Sequence, residues 1–269
     1  MRVDHAQQPR LCGARGLRSG SAVGLLLALL TFQLLLARPI QAQDTGMDPV
    51  DHSMEWGRET FILAELLEFV PGGADRAARY DLLGWTGGAS NRIWAKAEGE
   101  HGTRSGNGST ELQLLYGRLL TPWWDGQLGV KLDTRYGGGT SRTRASLAVG
   151  VQGLAPGWFE VEPTLFVSQH GDVSASLKAS YDLLLTQRLV LQPRLETMLG
   201  AQEVPEFGIG SGLNDVDLGL RLRYEFRREI APYVGFSWRR SFAGTADLAR
   251  AAGEEVSDRS LVVGLRLWY

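Results

Sequence analysis

Residues 127–136 read Gln-Leu-Gly-Val-Lys-Leu-Asp-Thr-Arg-Tyr. Leu128, Val130, Leu132, Thr134 and Tyr136 alternate with Gln127, Gly129, Lys131, Asp133 and Arg135. Successive side chains of a β-strand point to opposite faces, so this stretch offers one apolar face and one charged face. The same period of two recurs at 144–152, 159–167, 173–183, 190–200, 216–225, 232–239 and 260–269, and again at 92–100 and 110–118. Segments 60–70 and 79–86 alternate poorly but fall at the right spacing, which makes twelve strands in residues 60–269.

The two faces have opposite chemistry. From Leu128 onward one face is apolar through Val149, Leu165, Leu199, Leu220, Phe236 and Leu265. The other carries Lys131, Arg144, Glu162, Lys178, Arg194, Asp217, Arg221 and Arg239. A soluble sandwich can alternate in the same way, so three further features decide the class. The strands run to the roughly 9–11 residues that a tilted strand needs to cross a bilayer. Connections alternate between short (155–157, 184–187, 226–229) and long (202–215, 240–259), as periplasmic turns and outer loops do. The chain ends Leu261-x-Val263-x-Leu265-x-Leu267-x-Tyr269, which resembles the C-terminal recognition signal of bacterial outer-membrane proteins. The expected fold is an all-β, transmembrane, antiparallel up-and-down barrel of about 12 strands, closed because an open sheet edge in lipid would leave backbone groups unpaired. Pro163, Pro193 and Pro232 fall early in their strands, where frayed pairing is tolerated. Trp123, Trp124, Trp158, Tyr233 and Trp268 lie near strand ends and supply candidates for the interfacial aromatic girdles.

The N-terminus reads differently. Arg2, Arg10, Arg15 and Arg18 precede the apolar run Ser21-Ala-Val-Gly-Leu-Leu-Leu-Ala-Leu-Leu-Thr-Phe-Gln-Leu-Leu-Leu-Ala37, and Ile40-Gln41-Ala42 offers a cleavage site. That is the layout of a secretory signal, so residues 1–42 are expected to be removed. The 269-residue chain carries a formal net charge of −2, and the mature chain has 23 basic and 29 acidic residues, a net of −6. A pI near 6.1 leaves no broad basic face for nucleic acid. The one cysteine, Cys12, lies before the apolar run, which excludes a disulfide framework or a cysteine metal cage. Residues 43–59 are polar, contain Pro49 and show no period, and are expected to form a flexible periplasmic tail ahead of the barrel at 60–269.

No catalytic constellation emerges, and the chain is read as a non-enzyme. His101 and His170 fall in or beside turns, a weak basis for a Ser-His barrel lipase. The charged inner face admits two readings: an ion-paired network filling a narrow barrel, or a polar path for ions. In the tail, Met47, His52 and Met54 combine thioether and imidazole, soft donors suited to copper and above all to Cu(I).

The stretches Tyr181-Asp-Leu-Leu-Leu-Thr-Gln-Arg-Leu189, Gln192-Pro-Arg-Leu-Glu196, Gly208-Ile-Gly-Ser-Gly-Leu-Asn-Asp215 and Arg227-Arg-Glu-Ile-Ala-Pro-Tyr-Val-Gly235 resemble the copper resistance protein B (CopB) family. Gly219-Leu-Arg-Leu-Arg-Tyr-Glu225, Arg250-Ala-Ala-Gly-Glu254, Lys96-Ala-Glu-Gly-Glu100 and Glu111-Leu-Gln-Leu-Leu-Tyr116 extend the resemblance in order along the barrel. It implies an outer-membrane barrel of a Gram-negative bacterium that binds copper ions or assists their export or sequestration. Implied partners are outer-membrane lipid, copper ions and a periplasmic copper-resistance protein. Asp51-His52-Ser53-Met54 resembles one unit of the family's Met- and His-rich N-terminal segment, while its repeated Met tract is absent here. The alternative to a copper function is a narrow general channel or a structural barrel without copper specificity.

Overall fold

The structure is a computed structural model and describes residues 58–72, 76–253 and 255–269. The expected signal peptide, residues 43–57 of the expected tail and the candidate ligands Met47, His52 and Met54 therefore lie outside the described residues, while Glu59 at the end of that expected tail begins the first strand.

The strands are β1 (Glu59–Val70), β2 (Ala77–Gly87), β3 (Asn91–Gly102), β4 (Gly108–Thr121), β5 (Trp124–Gly137), β6 (Thr140–Ala155) and β7 (Phe159–Ser168). They continue with β8 (Val173–Ser180), β9 (Leu183–Leu184), β10 (Leu189–Gly200), β11 (Gly212–Tyr224), β12 (Ile230–Ser241) and β13 (Ser257–Trp268). Both β8 and the two-residue β9 pair with β10, so β9 continues β8 past an interruption at Tyr181 and Asp182. Counting that pair as one leaves twelve antiparallel staves. Every strand bonds to its neighbour, and β13 returns to β1 with Leu63 opposite Trp268 and Phe69 opposite Val263. At this seam Ile62 and Tyr269 exchange backbone hydrogen bonds of 2.9 and 2.8 Å, so the terminal aromatic closes the ring.

The poor alternation of residues 60–70 has a structural cause. The β1–β2 register shifts between Ala64 and Leu66, and this bulge turns both Glu65 and Leu66 inward. Glu65 bonds Gln192 and Arg266 inside the barrel, while Leu66 is buried. Pro163 likewise interrupts the β6–β7 ladder, whose pairing skips from Gly150–Thr164 to Gly153–Val161.

One end of the barrel carries tight turns and both ends of the described chain. The turn after β6 closes with a Trp158 N–H bond to the Ala155 carbonyl at 3.1 Å, over Pro156 and a Gly157 with φ of 90°. The other end carries the long connections. Residues 201–211 contain a 3-10 helix (Pro205–Phe207), and residues 242–256 contain α1 (Ala243–Ala252). Gly210 N–H donates to Thr245 Oγ1 at 2.8 Å, which ties these two loops together. By the asymmetry of outer-membrane barrels the tight-turn end is periplasmic and the long-loop end is outer.

Outward positions carry a continuous belt of exposed apolar side chains, including Leu114, Leu128, Val130, Leu147, Val149, Leu220, Val234 and Leu261. Inward positions bury Lys96, Lys131, Arg144, Gln192, Arg221 and Arg223. This inversion of a soluble core identifies a transmembrane barrel, and an outer membrane is where such barrels reside. Trp123 and Trp158 meet edge to face at 6.0 Å on the outside of the periplasmic end, as girdle residues do. Tyr233 and Trp268 do not join them. Tyr233 is buried, and the Trp268 ring packs 6.2 Å from Phe61, which belongs to an aromatic row described below.

Candidate functional site

The lumen is the site, and it is built in layers. Near the periplasmic end Phe61, Trp85 and Trp94 stand directly opposite one another on β1, β2 and β3. Their ring centroids are 6.1 Å apart at each step, close enough for favourable tilted packing. The same row runs on through Leu115, Gly129, Ala148 and Phe166, of which Trp94, Leu115, Ala148 and Phe166 form a buried apolar cluster. Gly129 is required in that row, because a Cβ there would lie 2.7 Å from the Leu115 Cα. Gly117 has a similar role on β4, where a Cβ would come 2.7 Å from Trp94 Cδ1 and push the indole off the wall. Inward apolar residues on β2 and β3 also explain why residues 79–86 alternate poorly: both faces of that wall are apolar in part.

Above this layer ion pairs cross the lumen. Arg221 Nε donates to Glu68 at 2.6 Å, from β11 to β1. Arg194 reaches Asp81 at 2.7 Å, from β10 to β2. Lys178 on β8 bonds Glu98 on β3, and Lys96 on β3 bonds Glu162 on β7 at 2.6 Å. Arg239 on β12 holds both Glu100, at 2.8 Å, and Asp217, at 3.1 Å. None of the pairs Glu68–Arg221, Asp81–Arg194, Glu98–Lys178 and Lys96–Glu162 joins adjacent strands, so each is a chord across the barrel. Lys131 is satisfied locally, by Glu111 at 2.7 Å and Asp133 at 3.2 Å. In a water-poor interior such charges persist only when paired, and here the pairing also braces opposite walls.

The outer half of the lumen holds a cavity of about 280 Å³. Nine carboxylates and six guanidinium groups line it, and Lys131 and Lys178 bond Glu111, Asp133 and Glu98 of that lining, which leaves the charge close to balanced. Phe207 and Ile209 from the 201–211 loop contribute to its lining and are buried. Arg144 lies 4.7 Å from the Phe207 ring centroid and helps to anchor that loop over the barrel. Met198 also lines the cavity, on the inward side of β10 beside Glu196. Its thioether is a soft donor that sequence reading had passed over. The signal was present in the inward parity of Arg194-x-Glu196-x-Met198.

The other sequence candidates resolve simply. Among the described residues no group of three or more His, Cys, Asp or Glu is arranged to hold a metal ion. The His101 ring stacks on Tyr136 at 6.0 Å, and its Nδ1 lies 3.4 Å from the phenol oxygen. His170 bonds Ser168 Oγ through its backbone N–H, while that hydroxyl donates to Asp172 at 2.8 Å. Ser168 is thus engaged in holding a turn.

A family model described as copper resistance protein B precursor (CopB) matches residues 58–269. The chain is 43% identical over 211 residues to copper resistance protein B of Escherichia coli, covering 77% of this chain and 69% of that protein. It is 41% identical over 210 residues to a copper resistance protein B homolog of Pseudomonas syringae pv. tomato, covering 78% and 70%. Among solved structures it is similar to the NanC porin, at 12% identity and a TM-score of 0.48 over 78% of this chain and 99% of that one. The KdgM porin is similar at 11% identity and a TM-score of 0.44, over 78% and 98%. By the family match across the whole barrel, and by relatives this similar over more than two thirds of their length, the chain belongs to the copper resistance protein B family.

Proposed function

We propose that this barrel binds copper ions at the outer membrane and assists their export or sequestration, and that copper is its cargo. The observation that carries this reading is the polar lumen cavity with one soft donor, Met198, in a chain of this family. Met47, His52 and Met54 would capture copper on the periplasmic side, since the chain enters the barrel at its tight-turn end. Within the lumen the Met198 thioether would favour copper over harder ions. A periplasmic copper-resistance protein is the natural source for the tail. No catalytic step is needed for any of this.

Planar-bilayer conductance of the purified full chain, with and without copper, tests the proposal. Copper-dependent current or block is expected, and identical traces would overturn it. Cu(I) titration of a 43–59 peptide tests the tail separately, and binding no tighter than that of a scrambled peptide would remove the tail from the mechanism. The competing reading is a narrow general channel or a structural barrel, favoured by the many chords made from ordinary Arg, Lys and carboxylate pairs. Under that reading, deleting the gene leaves growth in copper unchanged.

A further inference from the structure

We infer that the outer end of the β11–β12–β13 wall is a binding site for a phosphorylated glycolipid of the outer leaflet, with an acyl chain in a groove and the phosphate held by Arg240 and Arg259. The groove, of about 480 Å³, is on the outward face and is lined by Leu218, Leu220, Phe236, Trp238 and Arg259. Trp238 is fixed as one wall by its indole N–H bond to Ser257 Oγ at 3.2 Å. Apolar walls of this kind fit a hydrocarbon chain.

The charge sits where a lipid phosphate would. Outward apolar positions end at Trp238 on β12 and Leu261 on β13, and the next outward positions toward the outer end are Arg240 and Arg259. Trp238 pairs with Arg259 and Arg240 with Ser257, so the two arginines are diagonal neighbours on one face. Diagonal neighbours are about 7–8 Å apart, a separation at which two flexible guanidinium groups can grip one phosphate. Both are exposed, and among the described residues neither makes an ion pair with a carboxylate. Arg240 rests 5.3 Å from the Phe242 ring centroid. The contrast is with Arg239 on β12 and Arg221 and Arg223 on β11, which face inward and are all paired with carboxylates. A pair of arginines without carboxylates, at the edge of the lipid belt and at the head of an apolar groove, complements a phosphorylated lipid on both counts. The site is on the opposite side of the wall from the lumen, so it does not depend on what the lumen carries.

The test uses the full chain, purified folded and stripped of lipid in detergent. It is titrated with diphosphorylated lipid A, dephosphorylated lipid A or inorganic phosphate, with binding read by native mass spectrometry. The phosphorylated lipid should bind at least about tenfold more tightly than its dephosphorylated form, as expected for loss of a charge-assisted contact. Millimolar inorganic phosphate should not compete. Arg240→Ala with Arg259→Ala should abolish the preference, while Arg118→Ala, an exposed arginine at the periplasmic end, should keep it. Leu220→Trp fills the groove without touching charge and should weaken both lipids, which keeps the test informative if the double variant fails to fold. Equal affinity for the two lipids, or an unchanged preference in the double variant, would overturn the inference. Competition by inorganic phosphate would show an anion site without a lipid.

Discussion

The chord between Glu68 and Arg221 makes a quantitative prediction. The Glu68 side chain is 0% exposed and that of Arg221 is 6% exposed, and their contact is 2.6 Å. Glu68 is the sole carboxylate within ion-pair distance of Arg221 among the described residues. Changing Glu68→Gln therefore leaves a guanidinium buried without an opposite charge. Breaking a buried pair from one side costs about 3–5 kcal/mol, roughly two to three and a half decades in the folding equilibrium. Replacing both partners, as Glu68→Leu with Arg221→Met, removes the charge and its desolvation together and should recover most of that loss. Urea titration of the barrel in micelles, followed by tryptophan fluorescence, measures both effects, and a double-mutant cycle isolates the pair. A Glu68→Gln variant that costs less than about 1 kcal/mol would refute the chord as a brace, because only a solvated pair is worth so little.

Three more predictions address the other layers. Gly129→Val should leave no folded barrel by heat-modifiable electrophoresis, because the new side chain meets the backbone of Leu114 and Leu115 on the neighbouring strand. Trp85→Ala with Trp94→Ala removes two of the rings that stand across the periplasmic half of the lumen, so single-channel conductance should rise above that of the parent. Met198→Leu conserves volume and should cost less than about 1.5 kcal/mol in the urea assay. If copper is the cargo, that same substitution should lower copper tolerance when it replaces the parent gene, and full tolerance would count against Met198 as a donor.

Period-two alternation made ten of the twelve staves legible, and spacing placed the other two, because parity is local: each residue's face follows from its neighbour's. Where parity broke, the reading weakened for a physical reason. The bulge at Glu65 and Leu66 shifts the face of β1 halfway along, and inward Leu83 and Trp85 erase the contrast on β2. The helix α1 is not legible in the sequence, since its ten residues form one short segment inside a long connection. The chords were not legible at all. Glu68 and Arg221 are 153 residues apart, and partners across a lumen are set by the closure of the ring and not by any local pattern. Tyr233 and Trp268 show the same limit from the other side: a strand-end aromatic suits a girdle or a lumen equally until the register is known.

Pairing of charge distinguishes the lumen from the outer wall. Inward positions put carboxylates, arginines and lysines around the outer cavity in nearly balanced numbers. Arg194, Arg221 and Arg239 within the lumen are spent on chords, so they brace the barrel while they neutralise its carboxylates. Outward positions at the same height carry arginines without carboxylate partners among the described residues. Those positions face a leaflet whose phosphates are anionic. A single strand pair can serve both purposes because Arg239 and Arg240 are adjacent in sequence and opposite in direction. One completes a chord to Glu100 and holds Asp217 on the neighbouring strand, and the other faces lipid. The alternation that first revealed the fold is also what separates an ion-paired interior from an anion-attracting rim, one residue apart.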